Sequence, residues 1–401
     1  MRFIFKTILF LFLTFFNAKS QELVEFSLGP GYQYDIYYSF NDGITAYPER
    51  TNWDLAFSTN SLDCNIRINC GKGVTLFQVS DDINQWENIN SIPSGSTQLR
   101  NSSEYWEVGA FVSNSSGQND YGWGEYDPVS ESVLGKGIYV INFDSNTKKI
   151  KVNNCDGGQF NLTISNLDGS NEYNQTIDTN PYSDKKFIFY SITNDLLVDR
   201  EPTSWDIVFT KYEEDLENNL SNPFYYLVSG GLTNNNGVAE YNGFLDFNPT
   251  QEELNFTNEI NTIGYDWKTY TGGFSIVPDR AYFVMSQDNQ SLHKIVFQSF
   301  DGQQSGNMSF TVENLDFNNT VLDEDGLTDI SIYPNPSKGT LKIDFSEEDS
   351  FIQIRDLNGR TIYEESGPFH SHEIYLQNKG QYIASITTNN NIFVKSIFVC
   401  E

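Results

Sequence analysis

The chain says the same thing twice. Tyr37-Tyr38-Ser39-Phe40 is followed by Trp53-Asp54-Leu55-Ala56-Phe57, and Phe189-Tyr190-Ser191-Ile192 is followed by Trp205-Asp206-Ile207-Val208-Phe209. The interval from Tyr38 to Trp53 is 15 residues, and so is the interval from Tyr190 to Trp205. Further echoes keep the same order. Gly73-Val74 answers Gly237-Val238, Tyr139-Val140-Ile141 answers Tyr282-Phe283-Val284, and Lys149-Ile150 answers Lys294-Ile295. Asp156-Gly157, followed by the alternation through Leu162 and Ile164, answers Asp301-Gly302, followed by that through Phe310 and Val312. A repeat of about 150 residues is one supersecondary unit used twice, so any fold for this chain must accommodate two copies of it.

Each copy reads as β-structure. Short runs of β-branched and aromatic residues are bounded by Asn, Asp, Gly and Pro, without helical periodicity over a dozen residues. The 31 Phe and 23 Tyr against three Met suit strands, where flat rings pack on a pleated surface. Period-2 alternation places Trp53, Leu55 and Phe57 on one face and Asp54 on the other, and likewise Trp205, Ile207 and Phe209 against Asp206. The two Trp are therefore expected in the core, and the two Asp as turn or strand-edge acceptors rather than paired catalytic carboxylates.

This pattern resembles the HmuY-like family of Bacteroidota: Tyr-Ser-Phe, about fifteen residues, Trp-Asp-hydrophobic-x-Phe, then a distal Tyr-x-Val and a Lys-Ile pair. The resemblance covers residues 33–315. It implies a secreted or surface all-β body, and since some members act as haemophores it implies haem or another small apolar ligand. Haem held as the resemblance implies would need two soft N or S side chains, His or Met, from opposite sides of a pocket. In the body the candidates are His293, Met285 and Met308. His293 shares a strand face with Ile295 and Phe297, so its own reading is a core position, and no cofactor is certain.

The first twenty residues have the form of a signal peptide. Arg2 and Lys6 precede an apolar run from Ile8 to Phe16, broken only by Thr14, and Ala18-Lys19-Ser20 offers small residues for cleavage between Ser20 and Gln21. The run is too short for a membrane span, and nothing similar follows it. The formal charge of −30, from 54 acidic and 24 basic residues, excludes nucleic acid as a natural partner because phosphate backbones would be repelled.

Export also makes a disulfide reasonable among Cys64, Cys70, Cys155 and Cys400. A continuous strand through Ile66-Arg67-Ile68 would hold Cys64 and Cys70 about 20 Å apart, at roughly 3.3 Å per residue. Bridged Cα atoms lie about 4.4–6.8 Å apart. Cys155 is therefore the expected partner of either Cys64 or Cys70.

An acidic linker, 316–328, leads to a second constellation. Tyr333-Pro334-Asn335-Pro336 is followed by Gly339, then Asp356-Leu357-Asn358-Gly359-Arg360, Gly380-Gln381-Tyr382, and a last strand around Lys395. Pro and Gly stop one strand and turn the chain into the next, and Asn-Gly is a strong hairpin signal. This series resembles the type A C-terminal sorting domain of the type IX secretion system. It implies a small immunoglobulin-like β-sandwich, passage to the medium or the outer-membrane surface after an export step to the periplasm, and the type IX machinery as partner.

The expected organisation is thus a signal peptide (1–20), two β repeats (21–168 and 169–315), a linker (316–328) and a sorting domain (329–401). Catalytic motifs are missing: there is no Gly-x-Ser-x-Gly, no His-Glu-x-x-His, no phosphate-binding loop and no EF-hand. The expected function is a non-enzymatic binding protein outside the cell. The alternatives are a glycan hydrolase using paired carboxylates, or a structural or adhesive surface protein. Removing residues 329–401 should leave the protein in the periplasm, since the leader would still act; fractionation with antibody detection measures this.

Overall fold

A computed structural model describes residues 21–315, apart from 118, 218–222, 244–253 and 287–290, and residues 331–399, apart from 335–336, 345–348, 357–359, 369–370 and 389–391. The leader up to Ser20 and the linker 316–328 lie outside the described residues, as do Asn335, Pro336, Gly359 and Cys400. The chain divides into two compact units, Met1–Leu315 and Asp316–Glu401. Nearly all regular structure is antiparallel strand, so the all-β expectation holds.

In the first unit the early half contributes nine principal strands: β1 (Glu22–Ser27), β2 (Ile36–Ser39), β3 (Gly43–Ala46), β4 (Leu55–Ser58), β5 (Ile66–Ile68), β6 (Thr75–Ser80), β7 (Ile138–Phe143), β8 (Asn146–Asp156) and β9 (Gln159–Asn166). The later half contributes nine more: β10 (Tyr173–Asp178), β11 (Phe187–Ser191), β12 (Leu196–Val198), β13 (Ile207–Asp215), β14 (Tyr225–Thr233), β15 (Val238–Asn242), β16 (Arg280–Met285), β17 (Leu292–Phe300) and β18 (Asn307–Leu315).

The sheets do not respect the boundary between the halves. One sheet runs β1-β18-β17-β16-β15, and its counterpart runs β10-β9-β8-β7-β6. The other two run β3-β2-β13-β14 and β12-β11-β4-β5. Strand n and strand n + 9 hold equivalent places throughout, and each half lends the other three strands. The cores follow suit. One contains Leu55, Phe57, Tyr139 and Ile150 together with Ile177, Ile188 and Tyr190 from the later half. The other contains Ile207, Phe209, Tyr282 and Ile295 together with Val24, Ile36 and Tyr38 from the early half.

Two aspartates sit at the crossing points. Asp54 N donates to Tyr190 O at 2.9 Å, and Asp54 Oδ2 accepts from Ile192 N at 2.7 Å. Reciprocally, Asp206 N donates to Tyr38 O at 2.7 Å, and Asp206 Oδ2 accepts from Phe40 N at 2.8 Å. The chain bends at both residues, just before β4 and β13 begin. That bend corrects the expected faces. Leu55 and Phe57 do share a core, but Trp53 packs on the opposite side with Ala56, Phe187 and Phe189. Trp205 likewise joins Val208 and Tyr37, away from Ile207 and Phe209. Period 2 holds only along an extended chain, and here the carboxylate folds back on a neighbouring backbone instead. Trp205 is 4% exposed, whereas Trp53 is only half-buried.

The second unit is a two-sheet sandwich of seven strands: β19 (Ser331–Tyr333), β20 (Thr340–Asp344), β21 (Asp349–Asp356), β22 (Thr361–Pro368), β23 (Ser371–Tyr375), β24 (Gly380–Thr388) and β25 (Ile392–Val399). They pair as β19-β20-β23 and β22-β21-β24-β25 around Leu341, Ile352, Ile354, Ile386 and Ile397. Among the expected landmarks, Tyr382 is buried in this core and its hydroxyl donates to Asn378 O at 2.7 Å. Gly339 sits at φ +111°, with Leu376 O only 3.0 Å from where a Cβ would stand. Gly380 opens β24, Tyr333 is exposed at the end of β19 before Pro334, and Lys395 lies on β25.

Asp54 is fully buried and also pairs with Lys72 Nζ at 2.7 Å, whose side chain is 7% exposed. Asp54→Ala should therefore destabilise the first unit by about 2 kcal/mol, because it orphans the Ile192 N–H and leaves the buried Lys72 with Asp144 as its remaining carboxylate partner. Urea unfolding followed by Trp fluorescence measures this.

Candidate functional site

Strands shared by the two halves are constrained by each other, so the freedom to build a site lies where the halves differ. Two long connections break the duplication: residues 81–137 between β6 and β7, and residues 243–279 between β15 and β16. A third departure is the β13–β14 hairpin. β13 meets β2 only over Ile207–Phe209 but pairs with β14 over its full length, from Ile207 opposite Thr233 to Asp215 opposite Tyr225. Its outer part is therefore a two-stranded arm.

The first connection is braced against β5. The Arg67 side chain is buried; its Nη2 donates to Ser102 O at 2.8 Å, and its Nη1 donates to Tyr105 O at 2.8 Å and Trp106 O at 3.0 Å. Asn65 Nδ2 donates to Trp106 O at 2.8 Å while its Oδ1 accepts from Gly109 N at 2.8 Å. Asn101 closes the brace on Ile68, its Nδ2 donating to Ile68 O at 2.8 Å and its Oδ1 accepting from Ile68 N at 3.1 Å. Carbonyl oxygens replace the water that burial strips from the guanidinium, whose pKa desolvation lowers to about 10, so it stays charged at neutral pH. From there the connection reaches the later half: Trp106 Nε1 donates to Thr233 O at 2.8 Å, and Glu104 O accepts from Ile260 N at 2.9 Å.

Between this braced wall, the arm and residues 257–266 lies an open groove of about 1000 Å³. On one side Arg100 pairs with Glu213 and lays its guanidinium 4.2 Å over the Tyr225 ring. On the other, Glu214 accepts from Ser103 Oγ at 2.7 Å and from Asn261 Nδ2 at 2.9 Å. Glu104 is exposed on the wall. Partial desolvation, reinforced by the nearby Glu259 and Glu214 carboxylates, raises its pKa above the ordinary carboxylate value. Tyr225 and Tyr265 supply aromatic surface among these polar groups. The arrangement can hydrogen-bond and stack a polar ligand, and it disfavours anions.

The residues singled out for haem ligation lie elsewhere. His293, on β17, is 5% exposed and its ring stacks on Phe40 at 3.9 Å. Met285 ends the neighbouring β16 and is half-buried. Met308 is 2% exposed at the far end of β18. His293 faces Asn314 on β18, and Met308 lies six residues back along that strand, about 20 Å away at roughly 3.3 Å per residue. The fold therefore brings His293 near Met285 and leaves Met308 apart.

Cys155 pairs with Cys64, Cα to Cα 6.2 Å, and Cys70 is a free thiol beside Asn101 that burial pushes to a higher pKa. Cys70 starts the turn after β5 on the face away from the first core, which is why it is out of reach. The groove residues were not foreseen. The one available signal was Arg67 itself, a charge between two core isoleucines in an alternating run.

Residues 331–400 match the family described as the secretion system C-terminal sorting domain. The chain therefore carries a type IX sorting domain and is a secreted or cell-surface protein handled by that machinery. No curated protein matches the chain. Among solved structures it is similar to PorZ of Porphyromonas gingivalis, described as an essential bacterial surface component of the type-IX secretion system. That similarity has 12% identity and a TM-score of 0.17, over 69% of this chain and 41% of that one. It is also similar to a polysaccharide lyase at 10% identity and a TM-score of 0.15, over 88% of this chain and 40% of that one. The chain thus spans about two fifths of the length of each. Among the described residues no helix is long and apolar enough to cross a membrane.

Arg67→Met should free the wall without touching the groove's own side chains. Amide exchange in peptides covering 98–110 should speed up by more than tenfold while β7–β9 stay protected, and hydrogen-exchange mass spectrometry reads both.

Proposed function

We propose that the protein is a non-enzymatic binding protein of the cell exterior, and that the groove between the two connections is its ligand seat. The carrying observation is the brace: a buried arginine and two asparagines hold a loop rigid where it forms one wall of an open, polar, aromatic-bearing groove. Burying a charge is costly, and here the carbonyl oxygens that offset the cost are those of the loop itself, which ties the loop to one position. The lining suits a polyhydroxylated ligand such as a neutral glycan, whose hydroxyls meet Glu104, Glu214 and Asn261 and whose apolar ring faces meet Tyr225.

The HmuY-like resemblance would make haem the ligand instead. The groove reading is favoured because His293 is buried against Phe40 and none of His293, Met285 and Met308 lines the groove. Haemin titration separates the two: a sharpened and shifted main visible band that is lost in His293→Ala would make haem the ligand.

A second reading, hydrolysis of the same glycan, is favoured by one observation. Glu104 and the hydrogen-bonded Glu214 line the same groove, close enough for the Glu214 carboxylate to help raise the Glu104 pKa, and a pair of carboxyls in one cleft is what acid-base cleavage of a glycan uses. Glycan-array binding followed by assays for released reducing ends on each bound glycan decides between binding and turnover. Tyr225→Ala should weaken glycan binding at least tenfold, about 1.4 kcal/mol, with unchanged thermal stability. Affinity indifferent to Tyr225 would move the ligand out of the groove.

A further inference from the structure

The duplication exposes a missing group. Glu201 stands four residues before Trp205, and Glu49 stands four residues before Trp53. In the later half Glu201 is buried, and its Oε1 accepts from Trp205 Nε1 at 3.0 Å. In the early half Glu49 is exposed, and Trp53 Nε1 is buried with no acceptor among the described residues. A carboxylate present at one of two equivalent places is therefore absent from the other.

Both Trp line a cavity between the sheets β12-β11-β4-β5 and β3-β2-β13-β14, of about 80 Å³. Aromatic rings wall it: Trp53 meets Phe189 edge to face at 4.9 Å, and Trp205 meets Tyr37 at 5.3 Å. Arg200 also lines it. Its side chain is 3% exposed, its Nη2 donates to Asp35 Oδ2 at 2.7 Å, and its carbon centre lies 5.7 Å from the Trp53 ring. Arg200 Nε, like Trp53 Nε1, is a buried donor without an acceptor among the described residues.

Charge points the same way. Three cations line the cavity, Arg67, Arg200 and Lys211, against two carboxylates, Asp35 and Glu201. Both carboxylates are already engaged. Asp35 takes Arg200 and Thr210 Oγ1, and Glu201 takes Trp205 together with the backbone N–H of Lys186 and Phe187. A cationic excess thus persists inside a protein whose formal charge is −30. Desolvation, with Arg50 close by, accordingly lowers the Lys211 pKa.

We infer that this cavity binds a small monovalent anion, a halide or a short carboxylate such as formate, which accepts from Trp53 Nε1 and Arg200 Nε where Glu49 does not. The anion occupies the counterpart of the Glu201 carboxylate. A tetrapyrrole or a sugar does not fit a space of about 80 Å³.

The test uses the purified protein with both units present. Thermal unfolding is followed in sodium bromide, chloride and formate against sodium gluconate at equal ionic strength, gluconate being too large for the cavity. The melting temperature should rise with the logarithm of small-anion concentration and stay flat in gluconate, as expected for a ligand of the native state. Trp53→Phe keeps a ring but removes the donor, and should weaken the apparent anion affinity about tenfold. Crystals grown in bromide should show an anomalous peak between Trp53 and Arg200, a readout that does not depend on any variant folding. Identical melting in all four salts, no anomalous peak, or an unchanged anion response in Trp53→Phe would each mean that water alone fills the cavity, and would overturn the inference.

Discussion

Hydrogen bonds that neither half can make by itself hold the first unit together. Asp54 and Asp206 each bend the chain, offer a backbone N–H to a tyrosine carbonyl of the other half, and cap a neighbouring amide with their carboxylates. Unpaired buried backbone groups are costly, so a half lacking its lent strands would expose both sheet edges and core. The exchange of β1, β2 and β3 with β10, β11 and β12 follows from that constraint. It is why residues 21–315 behave as one unit rather than two.

Once the shared strands are locked, chemistry is left to whatever the halves do not share. The long connections, the extended β13–β14 arm and the unlike burial of Glu49 and Glu201 are all departures from the duplication. The groove and the inner cavity are both made from them. They also differ in physical character. The groove is open, wet and lined by carboxylates, whereas the cavity is small, walled by aromatic rings and cationic.

Buried arginines link the two features. Arg67 lines the cavity yet spends its donors on carbonyls of the groove wall, so the guanidinium is satisfied without a carboxylate. Saturating a cation with carbonyl oxygens avoids an orphaned donor but leaves its charge uncompensated. Arg200, paired with Asp35 on one side only, shows the same shortage from the other direction.

Local pattern alone determined a good deal. Alternation and turn residues specify strands, the echo at 15-residue intervals specifies two equivalent units, and the landmarks from Tyr333 to Lys395 specify the sorting sandwich. These are short-range signals, written within a few residues of where they act. Tertiary structure decided the rest. Trp53 and Trp205 turned to the opposite face because a hydrogen bond to a distant strand bends the chain at Asp54 and Asp206. Cys155 found Cys64 and not Cys70 because Cys64 stays in the first core with β5, whereas the turn that starts at Cys70 carries that thiol to the cluster around Trp205. Arg67 became a brace because its carbonyl partners arrive from 35 to 39 residues downstream. No local periodicity encodes which strand a half will borrow; that is settled by which backbone groups remain unpaired once the cores have closed.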